Sequence, residues 1–149
     1  MRALISGFVG ACTLTATHQL VRNSLPDAPR LDKLGMQSLQ KLLDFIGISA
    51  SEEQLFNGSI LGDLLLNTLY FAQVGDKKGI GTLTKGLMLG LTMGAGAVTL
   101  PEAISVDGKT THKTPATTAM TLALYGLGGL SAALTAQVIG ENRKPRKRK

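Results

Sequence analysis

The sequence predicts an all-α fold: a four-helix transmembrane bundle with an additional amphipathic helix between spans 1 and 2. Four long apolar stretches fill most of the 149 residues, and the charged residues collect between them and in a basic tail. A helix needs about 20 residues to cross the hydrocarbon core of a bilayer, and the stretches reach that length. A soluble bundle would carry a charged face on each helix, but residues 115–140 hold no charged side chain. Residues 1–142 are therefore interpreted as one integral membrane domain.

The predicted spans are residues 3–22, 55–74, 80–100 and 115–140. The start of the first span also resembles a secretion signal, because Arg2 precedes a short apolar run. The run that ends at Cys12 even resembles a lipoprotein cleavage site, but eleven preceding residues are few for such a signal. We interpret Cys12, the only cysteine, as a small apolar residue in a helix interface.

Between spans 1 and 2 the sequence predicts a separate amphipathic helix over residues 31–46. Pro26 and Pro29 end the first helix, since proline lacks the N–H donor and constrains the residue before it. Apolar side chains then recur with helical period on one face of residues 31–46. Asp27 or Asp32 can serve the start of this helix, and Gly47 can end it. We expect the helix to lie in the outer membrane interface or to cover the bundle as a lid.

The distribution of Lys and Arg predicts the orientation. The tail, residues 143–149, holds six of the 16 basic residues, and Arg2, Lys77 and Lys78 bring that side to nine against six on the other. Because cytoplasmic loops carry the excess of Lys and Arg, both termini are expected in the cytoplasm of a bacterium, with the protein in its inner membrane. The tail is expected to contact anionic lipid. It has no aromatic residue, so no nucleic-acid partner is predicted.

Small residues at four-residue spacing predict close helix packing. One stripe runs along the third span and a second along the fourth; their members are Gly86, Gly90 and Gly94, and Gly128, Ala132 and Ala136. In lipid, helices associate where small residues allow the backbones to approach. The stripes are expected to pack the third span on the fourth, and a homodimer interface is the alternative.

Polar residues inside the spans are the candidates for a site: His18, Arg22, Asp63, Asn67 and Lys85. Counted along the helix, Asp63 falls near mid-membrane, where an ionised carboxylate costs roughly 3 kcal/mol. It is therefore expected to pair with His18 or Arg22, or to be protonated. Lys85 is shallower and can reach the interface or Asn67. Two roles stay open, a proton or ion path and a polar clamp that fixes the helix register.

Other chemistry finds little support in the sequence. The two histidines and single cysteine have no metal-ligand spacing, and nothing resembles a nucleophile elbow. We therefore predict no catalytic residue, no metal and no cofactor. A cluster at the predicted outer face, Asp27, Arg30 and Asp32, leaves open a membrane enzyme that acts on lipid.

Two segments carry a resemblance to a known group of proteins. Residues 17–22 (Thr-His-Gln-Leu-Val-Arg) and 26–35 (Pro-Asp-Ala-Pro-Arg-Leu-Asp-Lys-Leu-Gly) resemble the opening of a family of small, uncharacterised four-span bacterial membrane proteins. Residues 123–129 are similar to that family's glycine-rich last span. The resemblance covers most of the chain and implies a bacterial inner membrane, but no activity.

The expected function is that of a non-enzymatic membrane component, an accessory or scaffold protein that packs in a larger complex or as a homo-oligomer. The first alternative is a small oligomeric channel or transporter with a polar path near Asp63. The second is the membrane enzyme. The sequence favours the accessory or scaffold protein over the membrane enzyme because it lacks catalytic motifs.

Overall fold

A computed structural model of the chain describes residues 1–75 and 79–141. The all-α prediction is confirmed for these residues, none of which forms a strand. The elements are α1 (Arg2–Val21), α2 (Leu31–Phe45), α3 (Glu52–Phe71) with a 3₁₀ turn after it (Ala72–Val74), α4 (Ile80–Ala103), α5 (Lys109–His112) and α6 (Pro115–Glu141). The predicted orientation depends on basic residues that lie outside the described residues: Lys77, Lys78 and those of residues 143–149.

Three helices, α1, α4 and α6, are long and apolar enough to cross a membrane. The helix α3 has the same length as α1, 20 residues, but it is not among them. Its first turn carries Glu52 and Glu53, and Asp63 and Asn67 interrupt its apolar run. These side chains lower its hydropathy, so a fourth span at residues 55–74 stays a prediction.

The helix α6 packs against α4 along the glycine stripe of α4. A methyl carbon at Gly86 would lie 2.6 Å from Cβ of Ala133, and one at Gly90 would lie 2.9 Å from Cα of Gly126. Both distances are far below van der Waals contact, so only glycine fits. The residue numbers of the contacting residues decrease along α6 as they increase along α4, so the two helices run antiparallel.

The second stripe packs against α1 rather than α4. A methyl carbon at Gly10 would lie 2.6 Å from the Gly128 carbonyl oxygen and 2.8 Å from Cβ of Ala132. Ala136, one turn further, is buried in the same core. On its other side α1 meets α3, since a methyl carbon at Gly7 would lie 2.7 Å from the backbone nitrogen of Ala72. The expectation that both stripes join spans three and four is therefore wrong for the α6 stripe.

The antiparallel neighbours give the molecule two ends. The terminal end holds the start of α1, the end of α3, the start of α4 and the end of α6. The opposite end, called here the α2 end, holds α2, α5 and the loop of residues 22–30. The Arg22 guanidinium lies 5.6 Å from the centre of the Phe56 ring, and the Thr114 hydroxyl donates to Asp27 at 3.3 Å. The first contact ties the end of α1 to the start of α3, and the second ties the loop after α1 to the start of α6.

The amphipathic helix α2 begins at Leu31, as predicted, and ends at Phe45, just before Gly47. Gly47 has a φ of +75°, which suits a glycine after a helix end. The helix packs on α3 through Gly35, where a methyl carbon would lie 3.0 Å from Asp63 Oδ2. The helices α3 and α4 make little contact with each other, and the space between them forms the site described next.

Candidate functional site

A cleft of about 710 Å³ lies between α3 and α4 and is called here the α3–α4 cleft. Residues of α1, α2 and α6 complete its lining, and α2 covers it toward the α2 end. The two walls differ in chemistry. The polar wall is defined here as the polar side chains that α1 and α3 contribute, beside Leu14, Ile60 and Leu66. The apolar wall is defined as the apolar side chains of α2 and α4, which also contribute Asp32, Ser38 and Thr92.

The polar wall follows helical spacing along α3. Ser59, Asp63 and Asn67 lie one turn apart and all line the cleft, with Thr15 and Gln19 of α1 beside them. The Ser59 hydroxyl donates to the Phe56 carbonyl at 3.0 Å, so its hydrogen bond is made within its own helix. The sequence analysis named Asp63 and Asn67 as candidates, and the three residues share one face because residues four apart are neighbours on a helix.

The carboxylate of Asp63 makes no hydrogen bond or ion pair with any described residue. It lies against the α2 backbone at Gly35. The expected pairing of Asp63 with His18 or Arg22 is wrong, because both of these side chains contact Asp32 instead. Asp63 therefore presents an uncompensated carboxylate to the cleft.

Asn67 is 5 % exposed, and its Oδ1 is buried without a hydrogen-bond partner among the described residues. Of the two alternatives for Lys85, the contact with Asn67 is not formed, since the Lys85 ammonium donates to the Gln73 carbonyl in the 3₁₀ turn after α3. A buried amide without a partner is uncommon in native structures and is expensive to leave unpaired. Asn67 is thus, like Asp63, a polar group of the cleft without a partner among the described residues.

The apolar wall faces these groups. Its members from α2 and α4 include Leu34, Leu42, Met93, Ala97 and Leu100. Gly96 lies among them, and a methyl carbon there would meet only Leu100, at an ordinary 3.5 Å. The wall is therefore shaped by small and flexible side chains that leave room in the cleft.

At the α2 end, four side chains form a charge cluster called here the Asp32 clasp: His18, Arg22, Arg30 and Asp32. Arg30 donates two hydrogen bonds to the Asp32 carboxylate, at 3.0 Å from Nε and 2.7 Å from Nη2. Arg22 Nη1 donates to the same carboxylate at 3.1 Å. Two-point contacts from arginine are among the strongest hydrogen bonds in proteins, so the clasp fixes the loop between α1 and α2.

The imidazole of His18 is buried inside the clasp. Its Nε2 lies 3.0 Å from the Pro29 carbonyl oxygen, and the Leu31 N–H donates to it at 3.2 Å. Nε2 accepts from Leu31 when it carries no proton and donates to Pro29 when it carries one. The same atom lies 3.9 Å from Asp32 Oδ1. His18 therefore anchors the start of α2 to α1 through the backbone.

Burial is the largest influence on the Asp32 carboxyl and by itself would raise its pKa. The hydrogen bonds and charge of Arg30, with smaller contributions from the Lys33 backbone and His18, outweigh burial and hold the pKa of Asp32 below its ordinary 3.8. The same hydrogen bonds raise the pKa of Arg30. The pair is thus ionised at neutral pH.

The predicted outer-face motif is divided between two contacts. Arg30 and Asp32 belong to the clasp, whereas Asp27 accepts from Thr114 at the start of α6. The Arg30 N–H also donates to the Thr110 carbonyl of α5 at 2.7 Å. The three residues therefore hold helices together and do not converge on one open site.

Sequence reasoning missed two features of this region. It gave Asp32 a role at a helix start, although Asp32 is the centre of the clasp, and it did not predict the four-residue helix α5. The motif Arg-Leu-Asp at residues 30–32 was the available signal, since such close opposite charges often pair. Among the described residues, no three His, Cys, Asp or Glu side chains are placed to hold a metal ion.

Comparisons with protein-family models, with curated proteins and with solved structures found no match to this chain.

Proposed function

We propose that this chain is a non-enzymatic accessory protein of the bacterial inner membrane that holds an amphiphilic molecule in the α3–α4 cleft. It crosses the bilayer four times and works within a larger membrane complex or a homo-oligomer. The observation that carries the proposal is the contrast between the two walls of the cleft. An amphiphile is the class of molecule that matches a polar wall and an apolar wall at once.

The polarity of α3 supports a fourth span. Its exposed side chains include Leu61 (67 % exposed), Leu65 (61 %) and Leu69 (52 %), while Asp63 and Asn67 face the cleft. A helix that turns its leucines outward and its polar groups inward suits a lipid surrounding. The exposed Phe45 and Ile46 at the end of α2 suit a helix that rests in the interface.

The size of the cleft supports a small-molecule ligand. Its volume of about 710 Å³ falls within the roughly 300–1,000 Å³ of ligand pockets. Asp63 and Asn67 line the cleft and have no hydrogen-bond partner among the described residues, so a ligand could supply one. A protein that served only as a packing scaffold would have little reason to keep either group.

The polar column on α3 favours a second candidate function, a small oligomeric channel for protons or cations. In the single chain the lining ends at Tyr70 and Thr92 toward the terminal end, next to the fully buried Phe71. A continuous path would therefore need further copies of the chain. Vesicles loaded with a pH dye test this candidate, since a channel gives a leak above that of empty liposomes and the accessory protein gives none.

The experiment on the proposed function asks whether the cleft retains an amphiphile. Purified protein, extracted from its own membrane, is examined by native mass spectrometry for bound small molecules. Gly96→Leu fills the cleft from α4, and we expect the bound mass to disappear. Gly81→Leu is the matched control, because Gly81 lies on the same helix in open space and outside the cleft lining.

Equal occupancy in the wild type and in both variants contradicts the proposal, as does a wild-type protein that carries no bound mass. A loss of bound mass in Gly96→Leu alone supports it. Both variants replace a helical glycine with leucine, which favours the helix, so helix stability does not distinguish them.

A further inference from the structure

We propose that the ligand of the α3–α4 cleft is a lipophilic organic cation, a protonated amine on an apolar body, with its ammonium group held by Asp63 and Asn67. This inference rests on the proposed function and names the class of molecule that the cleft takes. Its basis is the charge of the lining, the geometry of the two unengaged groups and the size of the space around them.

Among the described residues, the titratable side chains that line the cleft include Asp32, Asp63 and His18, which lies beside Asp32, and no Lys or Arg. Asp32 is already neutralised by Arg30 and Arg22. The charge of Asp63 is met by no described residue. Asp63 is therefore a carboxyl of the lining without a described partner. A cationic ligand would stabilise its ionised form, whereas an anionic ligand would be repelled by it.

Basic residues close to the cleft are already engaged. Arg22 and Arg30 belong to the Asp32 clasp, and Lys85 donates to the Gln73 carbonyl near the terminal end. A carboxylate away from water and without a partner is expensive. A positive charge brought by the ligand supplies the missing partner for Asp63.

The second group, Asn67, is placed to share the same ammonium. Asp63 and Asn67 are four residues apart on α3, and such pairs are neighbours on a helix surface, with Cβ atoms about 5–6 Å apart. A protonated primary amine has three N–H donors. One donor reaches the Asp63 carboxylate. Another reaches Oδ1 of Asn67, which is buried without a described partner, once the Asn67 side chain turns toward the cleft.

Two tyrosines line the same cleft, Tyr70 from α3 and Tyr125 from α6. Aromatic faces attract organic cations, so they add to the preference for positive charge. The apolar wall of α2 and α4 then accommodates the hydrocarbon part of the ligand. Polar head and apolar body thus have separate surfaces.

An inorganic cation fits less well than an organic one. Hard divalent cations take six or more oxygen ligands, whereas the column on α3 offers one carboxylate, one amide and a Ser59 hydroxyl that is already bonded. A space of about 710 Å³ with one apolar wall is also far larger than an ion requires. The geometry therefore points to an amine with a sizeable hydrocarbon group.

The test compares two probes that differ in head group alone, tritiated dodecylamine and tritiated dodecanol. Binding at pH 7, where the amine is charged, is measured by equilibrium dialysis against the protein in nanodiscs of zwitterionic lipid, with empty nanodiscs subtracted. We expect dodecylamine to bind at least tenfold more tightly than dodecanol. Asp63→Asn should remove this difference, because it should weaken the binding of dodecylamine and leave the binding of dodecanol unchanged.

Asp44→Asn is the matched control, because Asp44 is an exposed carboxylate on α2 that contacts Gln40 and does not line the cleft. It should keep the preference for the amine. Asn67→Ala is the second variant. It should weaken the binding of dodecylamine several-fold and leave the binding of dodecanol unchanged. Unchanged dodecanol binding shows that a variant is folded.

The outcomes separate the two proposals. If dodecanol binds as tightly as dodecylamine, or if Asp63→Asn keeps the preference, and Gly96→Leu still abolishes binding, then the cleft holds a neutral amphiphile and the cation inference is wrong. If neither probe binds above empty nanodiscs, both the cation inference and the proposed function are wrong.

Discussion

The helix α4 presents two faces with opposite properties. One face, with Gly86, Gly90 and Gly94, meets α6 so closely that backbone atoms touch. The other face, with Met93 and Ala97, borders the α3–α4 cleft and meets α3 only sparsely. The same helix therefore forms a close backbone interface on one face and one wall of the α3–α4 cleft on the other.

The difference illustrates what decides the association of helices that are apolar enough to cross a membrane. Lipid is as apolar as leucine, so hydrophobic burial gives little reason for two helices to approach. Glycines allow backbone contact and the dispersion energy that comes with it. Where α3 turns polar side chains toward α4, the helices stay apart, and the space between them is available to a ligand.

The largest effect is expected where a side chain is placed in the tight interface. In Gly90→Leu the new Cβ would lie 2.9 Å from Cα of Gly126. The α6 backbone at this point cannot move aside without disturbing the helix. We expect a loss of about 3 kcal/mol or more in the free energy of unfolding, measured by SDS titration in mixed micelles. Gly128→Leu should act similarly at α1.

The control for this prediction is Gly81→Leu on the same helix, which meets no atom within 4 Å and should change stability little. Unchanged unfolding midpoints for Gly90→Leu and Gly128→Leu would mean that these faces point at lipid and that the packing description is wrong.

The next largest effect concerns the Asp32 clasp. Asp32→Asn keeps the shape but leaves Arg22 and Arg30 without their charge partner. Removing one member of a buried ion pair can cost 3–5 kcal/mol, but Arg22 and Arg30 are 21 % and 38 % exposed, so solvent reduces the loss to about 2 kcal/mol. The same unfolding assay measures it. Asp44→Asn on the exposed face of α2 serves as control and should be almost silent.

The pH dependence follows from the lowered pKa of Asp32. A carboxyl whose pKa is depressed on folding binds its proton more readily in the unfolded chain, so its contribution to stability is present above 3.8 and is lost as pH falls through the folded value. The difference between wild type and Asp32→Asn should therefore be constant from pH 7 to pH 5 and should shrink below about 4. A difference that shrinks already at pH 6 would identify another group.

The smallest effect is expected at the contact between α2 and α3. In Gly35→Ala the new methyl group would lie 3.0 Å from Asp63 Oδ2 and 3.1 Å from Ser59 Cβ, so α2 must move by a few tenths of an ångström. We expect a loss of about 1 kcal/mol. Gly62→Ala, with nothing within 4 Å, is the comparison and should be neutral or slightly stabilising. A Gly35→Ala protein as stable as Gly62→Ala would show that α2 is not held against Asp63.

Much of the helical framework could be predicted from the sequence, because apolar length and helical period are local properties. The stripe of Gly86, Gly90 and Gly94 indicates close packing. Spacing alone, however, does not say which helix the stripe of Gly128, Ala132 and Ala136 on α6 will contact. The absence of a described partner for Asp63 could not be predicted either, since the choice of Arg22 between Asp32 and Asp63 depends on how the loop of residues 22–30 folds back.

The cleft itself lay beyond sequence reasoning. It results from the relative placement of α2, α3 and α4, which no single pattern contains. What the sequence did indicate was its polar column, Asp63 and Asn67 on one face of α3. The unengaged state of both groups becomes visible only once the positions of the basic residues are known.

The central claim is that α3 crosses the membrane, which places the cleft inside the bilayer. The most direct measurement labels single cysteines on the two sides of α3, Ser49→Cys before it and Asp76→Cys after it, in a Cys12→Ala background, with a membrane-impermeant maleimide applied to spheroplasts. The account predicts that Ser49→Cys is labelled from outside and that Asp76→Cys is labelled only after permeabilisation. Labelling of both cysteines from the same side would contradict it, because α3 would then not span the membrane.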